Sequence, residues 1–346
     1  MAFALILRSN GHSSAHLAGV TSLAILLVSG CGTGVPNSAT KGQTGTSSAT
    51  TTTVSTGAQL GLIWNPGDST LRTLAGVPGS TQLGAALFPA GAYVSGAFSS
   101  PTQTALLIDP KGNLQVMALP STQPSTVTQN VAPASLIAFS PRGGYAVVFA
   151  PGSTSILVVG GLPQAPVVNT VTAASAVQGA AISDAGTLLL ATGKTSVTVT
   201  AITAAGSNST FATLGGFGGM SFMAGSEDSL IADSTANTLA RYHNGTGSVL
   251  ATHASGLNQP FAVAASQDGH WAVTVDKADG VLLRIDLTGA ATPAQSTCAC
   301  SPTQLAALNG NAVFELVAPG TAPGWMIEAD SPTARVLFIP PARGGQ

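Results

Sequence analysis

The sequence predicts an all-β fold, a β-propeller of seven four-stranded blades, preceded by a signal peptide and a disordered tether. Three observations carry this: a repeat of about 42 residues, apolar runs of four to six residues broken by turn formers, and an uncharged composition. Of 346 residues, 45% are hydrophobic and only 7% charged, with 41 Gly and 21 Pro. A disordered chain would be poorer in aliphatics and richer in charge; a coiled coil would be heavy in Glu, Lys and Leu at heptad spacing. The 11 basic and 13 acidic residues are spread singly, so no basic field exists to hold nucleic acid.

Residues 1–30 read as an export signal. Arg8 precedes an apolar run from Leu17 to Val28, too short for the roughly 20 apolar residues of a spanning helix and flanked as a secretory signal is. Leu27, Val28, Ser29, Gly30 and Cys31 resemble the bacterial lipoprotein lipobox. That resemblance implies lipidation of Cys31, which becomes the mature N-terminus, and the Gly32 that follows it resembles the outer-membrane sorting pattern. The alternative is an ordinary signal peptide with an incidental cysteine. From 31 to 57 the lipidated terminus continues into small, hydroxylated residues without apolar periodicity, a composition that does not bury enough surface to fold. It is expected to be a tether.

The region 58–346 is the propeller domain. A recurring unit consists of an apolar pair, often a Ser, a Gly-containing turn and a run of Val, Leu and Ala. Its copies include GAFSSPTQTALLI, IAFSPRGGYAVVF, AAISDAGTLLLAT and VAASQDGHWAVTV, anchored at Phe98, Phe139, Ile182, Phe222, Ala265 and Leu308, which lie 41, 43, 40, 43 and 43 residues apart. Such a period with about four strands per unit is the signature of a propeller blade. In one unit the strands fall at Ser135 to Phe139, Tyr145 to Phe149, Ser155 to Val159 and Pro166 to Thr172. The Gly of each first turn supplies the positive φ of a tight connection. Six units give 24 strands, and LGLIW at 60–64, LRTLAG at 71–76 and QLGAAL at 82–87 raise the total to 26 or 27. A seven-bladed ring needs 28, which favours seven blades with closure by mixing of the two chain ends. Six blades is the alternative, with the first hairpin capping an edge.

On the recurring [AF]-[FI]-S-x-x-G element, the units resemble those of the YVTN-type and WD-repeat-like bacterial β-propellers over residues 58–340, without the Gly-His to Trp-Asp pairing of the latter.

Candidate chemistry is sparse. Cys298 and Cys300 sit two residues apart in an exported chain, where a structural disulfide is expected; free thiols, or a metal or redox role, are the alternatives. His243, His253 and His270 have no metal-binding spacing and are expected on the surface or in loops. Asp268, Asp276 and Asp279 supply too few oxygens for calcium and read as turn formers. The Gly215–Gly219 run lacks the helix that completes a phosphate loop, and Trp64, Trp271 and Trp325 read as core. No catalytic residue, metal site or cofactor is assigned. The expected role is a monomeric binding or scaffolding module, lipid-anchored at the outer-membrane or periplasmic side of the bacterial cell envelope, with an envelope protein or glycan as partner. The alternative is a propeller enzyme, such as a lactonase-like hydrolase, with its site at the central channel. Convergent acids, His or Arg in that channel would favour the enzyme; Ser, Ala and Val would favour the scaffold.

Overall fold

Short β-branched and Leu-rich runs, each too brief to bury itself, pair with their sequence neighbours into antiparallel meanders. The computed structural model describes residues 58–277 and 279–341; the export signal, Cys31 and the tether lie outside the described residues. Blade 1 comprises β1 (Gln59–Asn65), β2 (Thr70–Val77) and β3 (Ser80–Ala86). Blade 2 comprises β4 (Ser95–Ser99), β5 (Thr104–Ile108), β6 (Leu114–Ala118) and β7 (Ser125–Thr128), and blade 3 β8 (Leu136–Phe139), β9 (Tyr145–Phe149), β10 (Ser155–Gly160) and β11 (Val167–Thr172). Blade 4 holds β12 (Val177–Ile182), β13 (Leu188–Thr192), β14 (Val197–Ile202) and β15 (Asn208–Leu214), and blade 5 β16 (Phe217–Phe222), β17 (Ser229–Asp233), β18 (Thr238–His243) and β19 (Thr246–Ala251). Blade 6 holds β20 (Pro260–Ala265), β21 (Trp271–Asp276), β22 (Val281–Asp286) and β23 (Ala294–Thr297), and blade 7 β24 (Ala306–Ala307), β25 (Val313–Val317), β26 (Gly324–Glu328) and β27 (Arg335–Ile339). Among the described residues the one helical element is a 3-10 turn at His253–Ser255.

The ring follows from alternation in the second strand of each blade. On β5, Ala105 and Leu107 pack toward blade 1 while Leu106 and Ile108 pack toward blade 3. On β9, Ala146 and Val148 face blade 2, whereas Val147 and Phe149 face blade 4. These strands are covered on both sides, which is why their sequences are continuously apolar. Each fully buried Leu, Val or Ile contributes about 1.5–3 kcal/mol. Seven apolar layers result, one between each pair of neighbours. The closing layer joins Leu60, Ile63 and Leu74 of blade 1 to Leu308, Val313, Met326 and Ile339 of blade 7.

Seven blades are present, and the expected mixing of the two chain ends in one blade is not seen among the described residues. Residues 306–339 supply all four strands of blade 7 themselves, and β1–β3 form a separate sheet. Those three strands hold the second to fourth positions of blade 1. Gly61 lies against Phe98 and Ser100 at the far end of β4, whereas Trp64 lies on Gly96 near its start, so β1 runs opposite to the innermost strand beside it. Like β5, β17 and β21 it is almost wholly buried, and like β5 it ends in an acid-or-amide and Pro turn, Asn65-Pro66 against Asp109-Pro110. β3, in turn, meets the outermost strand β27 of blade 7.

Inner strands approach closely where glycine removes a side chain. A Cβ at Gly179 would lie 2.2 Å from the Phe217 ring of the next blade, and one at Gly96 2.7 Å from Trp64.

Candidate functional site

The connections divide the ring into two faces. One, here the turn face, carries the turns from first to second strand and from third to fourth; the other, the link face, carries the remaining turns and the links between blades. The turn face is built on the repeated Ser. Ser140, Ser183 and Ser266 are buried. Ser140 Oγ accepts the Tyr145 N–H, Ser183 Oγ those of Ala185 and Thr187, and Ser266 Oγ that of Trp271. Gly143, Gly186 and Gly269 complete the turns at φ of 78°, 85° and 71°, where a Cβ would be strained.

Polar side chains then tie turn to turn around the channel mouth. Asp184 of blade 4 accepts the Arg142 N–H of blade 3 at 2.7 Å and the Gly225 N–H of blade 5 at 2.9 Å. Asn311 of blade 7 exchanges two bonds with Asp268 of blade 6, at 3.0 and 2.9 Å. Asn309 donates to the Gln59 and Leu60 carbonyls of blade 1. Across the ring, Gln267 Nε2 of blade 6 donates to the Pro141 carbonyl of blade 3 at 3.3 Å, which narrows the mouth on this face. Hydrogen bonds from Ser266, the His270 N–H and Asn311 outweigh the effect of burial and hold the Asp268 carboxyl below its usual range.

Charge gathers on the turn face of blades 5 to 7. On blade 5, Asp228 Oδ2 accepts both Nε and a terminal nitrogen of Arg241, at 3.0 and 2.5 Å, and Oδ1 lies 2.7 Å from His243 Nδ1. Burial works to raise the Asp228 pKa, but these bonds and charges lower it on balance. On blade 6, His270 lies 3.3 Å from Asp286 and stacks on Trp271, over which the Arg284 guanidinium sits 4.3 Å from the ring centre. Arg284 also donates to the Ala329, Ser331 and Pro332 carbonyls of blade 7. On blade 7, Arg335 pairs with Glu328. Arg335 is 53% and His243 67% exposed, so both are available to a partner.

The channel offers different chemistry. The six described innermost strands, β4, β8, β12, β16, β20 and β24, contain Ser, Gly, Ala, apolar residues and one amide, Gln178, which donates to the Gly193 carbonyl, and no ionisable side chain. Glu315, on the second strand of blade 7, is 4% exposed, and Oε1 has no hydrogen-bond partner among the described residues. It alternates with Phe314 and Leu316, which face blade 6, and stands opposite Met326, so it points into the apolar layer between blades 7 and 1. Burial alone pushes its pKa up to about 8.

The residues singled out in the sequence fall as follows. Cys31 lies outside the described residues. Cys298 and Cys300 are joined by a disulfide, with Cα atoms 4.9 Å apart, in the link between blades 6 and 7. Asp268 is in the turn-face belt, while Asp276 is buried on the link face, where it accepts the Asn258 N–H. Its pKa is raised to about 6, chiefly by burial, with the nearby Asp279 adding to it. His243 and His253 are exposed and His270 half-buried. Trp64, Trp271 and Trp325 are half-buried against apolar layers. The Gly215 and Gly216 N–H groups donate to Asp233. No group of three His, Cys, Asp or Glu among the described residues is placed to hold a metal, and no described helix is long and apolar enough to cross a membrane. Sequence reading missed the belt residues Asp184 and Asn311; the signal available was a polar residue two or three places beyond five of the six repeat anchors, all but Phe222.

No model of a known protein family matches the chain, and no curated protein matches it in sequence. Its likeness is to solved structures. A functionally unknown protein from Desulfotomaculum acetoxidans is similar at 12% identity and a TM-score of 0.55, covering 82% of this chain and 99% of its own. The β-propeller domain of Cps50 (Swd1) from Myceliophteria thermophila is similar at 11% identity and a TM-score of 0.54, covering 72% and 88%. Virginiamycin B lyase from Staphylococcus aureus is similar at 11% identity and a TM-score of 0.52, covering 73% and 85%. The chain has the β-propeller fold in common with all three.

Proposed function

We propose that this protein is a lipid-anchored, exported propeller that serves as a binding or scaffolding module in the bacterial cell envelope, with the turn face of blades 5 to 7 as its partner platform. The observation that carries the reading is the distribution of polar chemistry: of the five contacts between basic and acidic side chains among the described residues, four lie on the turn face of blades 5 to 7 and one, Arg72–Asp68, on the link face of blade 1, while the described innermost strands present no ionisable group. A channel enzyme, lactonase-like or lyase-like, would need acids, His or Arg converging on that channel, and nothing in its described lining favours this. An envelope protein or glycan with complementary polar groups suits the Arg241, His243 and Arg335 side chains.

Crosslinking pull-down from intact envelopes, followed by mass spectrometry, tests the platform. A reproducible envelope partner is expected, and it should be lost when His243→Ala and Arg335→Ala are combined; a partner retained by that variant would move the site elsewhere. Cys31→Ser tests the anchor: the protein should leave the membrane for the soluble envelope fraction, and continued retention would refute it.

A further inference from the structure

We infer that the link face of blade 6 carries a divalent-cation site, suited to calcium, formed by the carboxyls of Asp276 and Asp279 and the side-chain amide of Asn258. Three copies of one aspartate show why. Asp109, Asp233 and Asp276 stand at the same repeat position, at or just after the end of the second strand of blades 2, 5 and 6. Asp109 accepts the Lys111 and Asn113 N–H groups and the side-chain amides of Asn113 and Gln115. Asp233 accepts the backbone N–H groups of Gly215, Gly216, Thr235 and Ala236. Asp276 is 1% exposed, yet among the described residues it accepts one bond, from the Asn258 N–H to Oδ2 at 2.8 Å. Its Oδ1 is buried without a partner. An ionised carboxylate there lacks the compensation its two counterparts have, and the charge of Asp279 adds to the cost. A cation removes both penalties at once.

Asn258 joins the two carboxyls into one cluster, since its side-chain nitrogen also lies 3.5 Å from Asp279 Oδ2. That contact is at the limit of a hydrogen bond, and turning the amide over presents Oδ1 to the carboxyls instead. The donors are then all oxygen, which selects a hard cation. Calcium accepts irregular sets completed by water, whereas magnesium demands a near-ideal octahedron. Lys277, next to Asp276 in sequence, is exposed, and no ion pair joins it to either carboxyl among the described residues. Asp268, which the sequence groups with these two, is bonded into the belt on the opposite face and takes no part. The oxygen that sequence spacing lacked comes from an amide eighteen residues before Asp276.

The cluster stands on fixed backbone. Beside Asn258, Leu257 is buried, the Gln259 N–H donates to Asn237 Oδ1 of blade 5 at 2.7 Å, and the Gln259 carbonyl accepts the Lys277 N–H. Beside Asp279, the Gly280 carbonyl accepts the Cys298 N–H, which ties the turn between β21 and β22 to the disulfide bend. Two carboxyls, one amide and water make a weak site, in the range of about 0.1–1 mM that extracellular calcium modules use. It lies on the face opposite the partner platform and depends on neither the platform nor the lipid anchor.

Calorimetric titration of the purified full chain with CaCl2, after removal of metals by a chelator and at a pH above the Asp276 value, tests the site. One calcium per chain is expected to bind at about 0.1–1 mM, and at least about tenfold more weakly in Asp279→Asn and in Asn258→Ala. No binding up to about 10 mM, ten times the weak end of that range, would leave the proton as the pair's partner and overturn the assignment. Binding unaltered in both variants would place the cation elsewhere and overturn it too. Should either variant not fold, hydrogen exchange of the wild type reads the same point: calcium should slow the amides of residues 257–262 and leave those around Asp233 unchanged. An equal effect on both segments, or none on the first, would count against the site.

Discussion

At the scale of single residues, the two most consequential side chains are a buried carboxyl whose Oε1 has no hydrogen-bond partner among the described residues and a serine with two partners. Glu315 ionises near 4.5 in the unfolded chain but only at about 8 in the fold. Between those values the unfolded state gives up a proton that the folded state keeps, so stability falls as pH rises, by about 1.4 kcal/mol per unit. Below the lower value and above the upper one this contribution is flat. Urea unfolding of the wild type and Glu315→Gln at pH 5 and pH 8 should show a smaller pH difference in the variant, and equal differences would show that the carboxyl is paired or solvated. Ser183 is fully buried and accepts two backbone N–H groups. Ser183→Ala leaves both without that oxygen and is expected to cost about 1–3 kcal/mol, read as a lowered denaturation midpoint; an unchanged midpoint would mean that the turn is not a structural determinant.

At the scale of strands and blades, tight approach matters more than propensity. Gly179→Ala forces a Cβ into the Phe217 ring and is expected to cost about 1–3 kcal/mol. Gly144→Ala, where nothing lies within 4 Å, should stay within about 0.5 kcal/mol. Thermal unfolding of the pair checks this, and equal midpoints would show that neighbouring sheets shift freely. Much at this scale was legible. The repeat anchors Phe139, Ile182, Phe222 and Ala265 are the last residues of the innermost strands, because a Gly-containing turn follows directly, opened by Ser in all but the Phe222 copy. Ser135–Phe139 and Tyr145–Phe149 match β8 and β9 to within a residue. The candidate site was less legible, since Asp184 and Asn311 act on backbone groups about forty residues away, and such a bond leaves no local pattern. The burial of Glu315 was hidden for a related reason: it depends on which neighbour fills the layer it points into.

At the scale of the whole molecule, closure rests on side-chain packing between blades 7 and 1 and on the Asn309 bonds to Gln59 and Leu60, with no strand shared among the described residues. Removing residues 302–346 should therefore expose two apolar layers, those around Phe314 and around Leu60. The shortened chain is expected to self-associate and bind a hydrophobic dye, as size-exclusion chromatography and fluorescence would register; a monomer with unaltered unfolding would show that an open arc suffices. The same architecture sets an order of events for a chain delivered N-terminus first. Each described sheet pairs only consecutive strands, so loop-closure distances are short and a row of finished blades can accumulate early. The exception is the meeting of blades 7 and 1, where Asn309 reaches Gln59, 250 positions away, and Thr81 reaches Phe338, 257 away. Until that late encounter, blade 1 keeps one flank wet, and the interval between its appearance and the arrival of blade 7 is the period in which proteases and holding chaperones compete with the ring for the same surface.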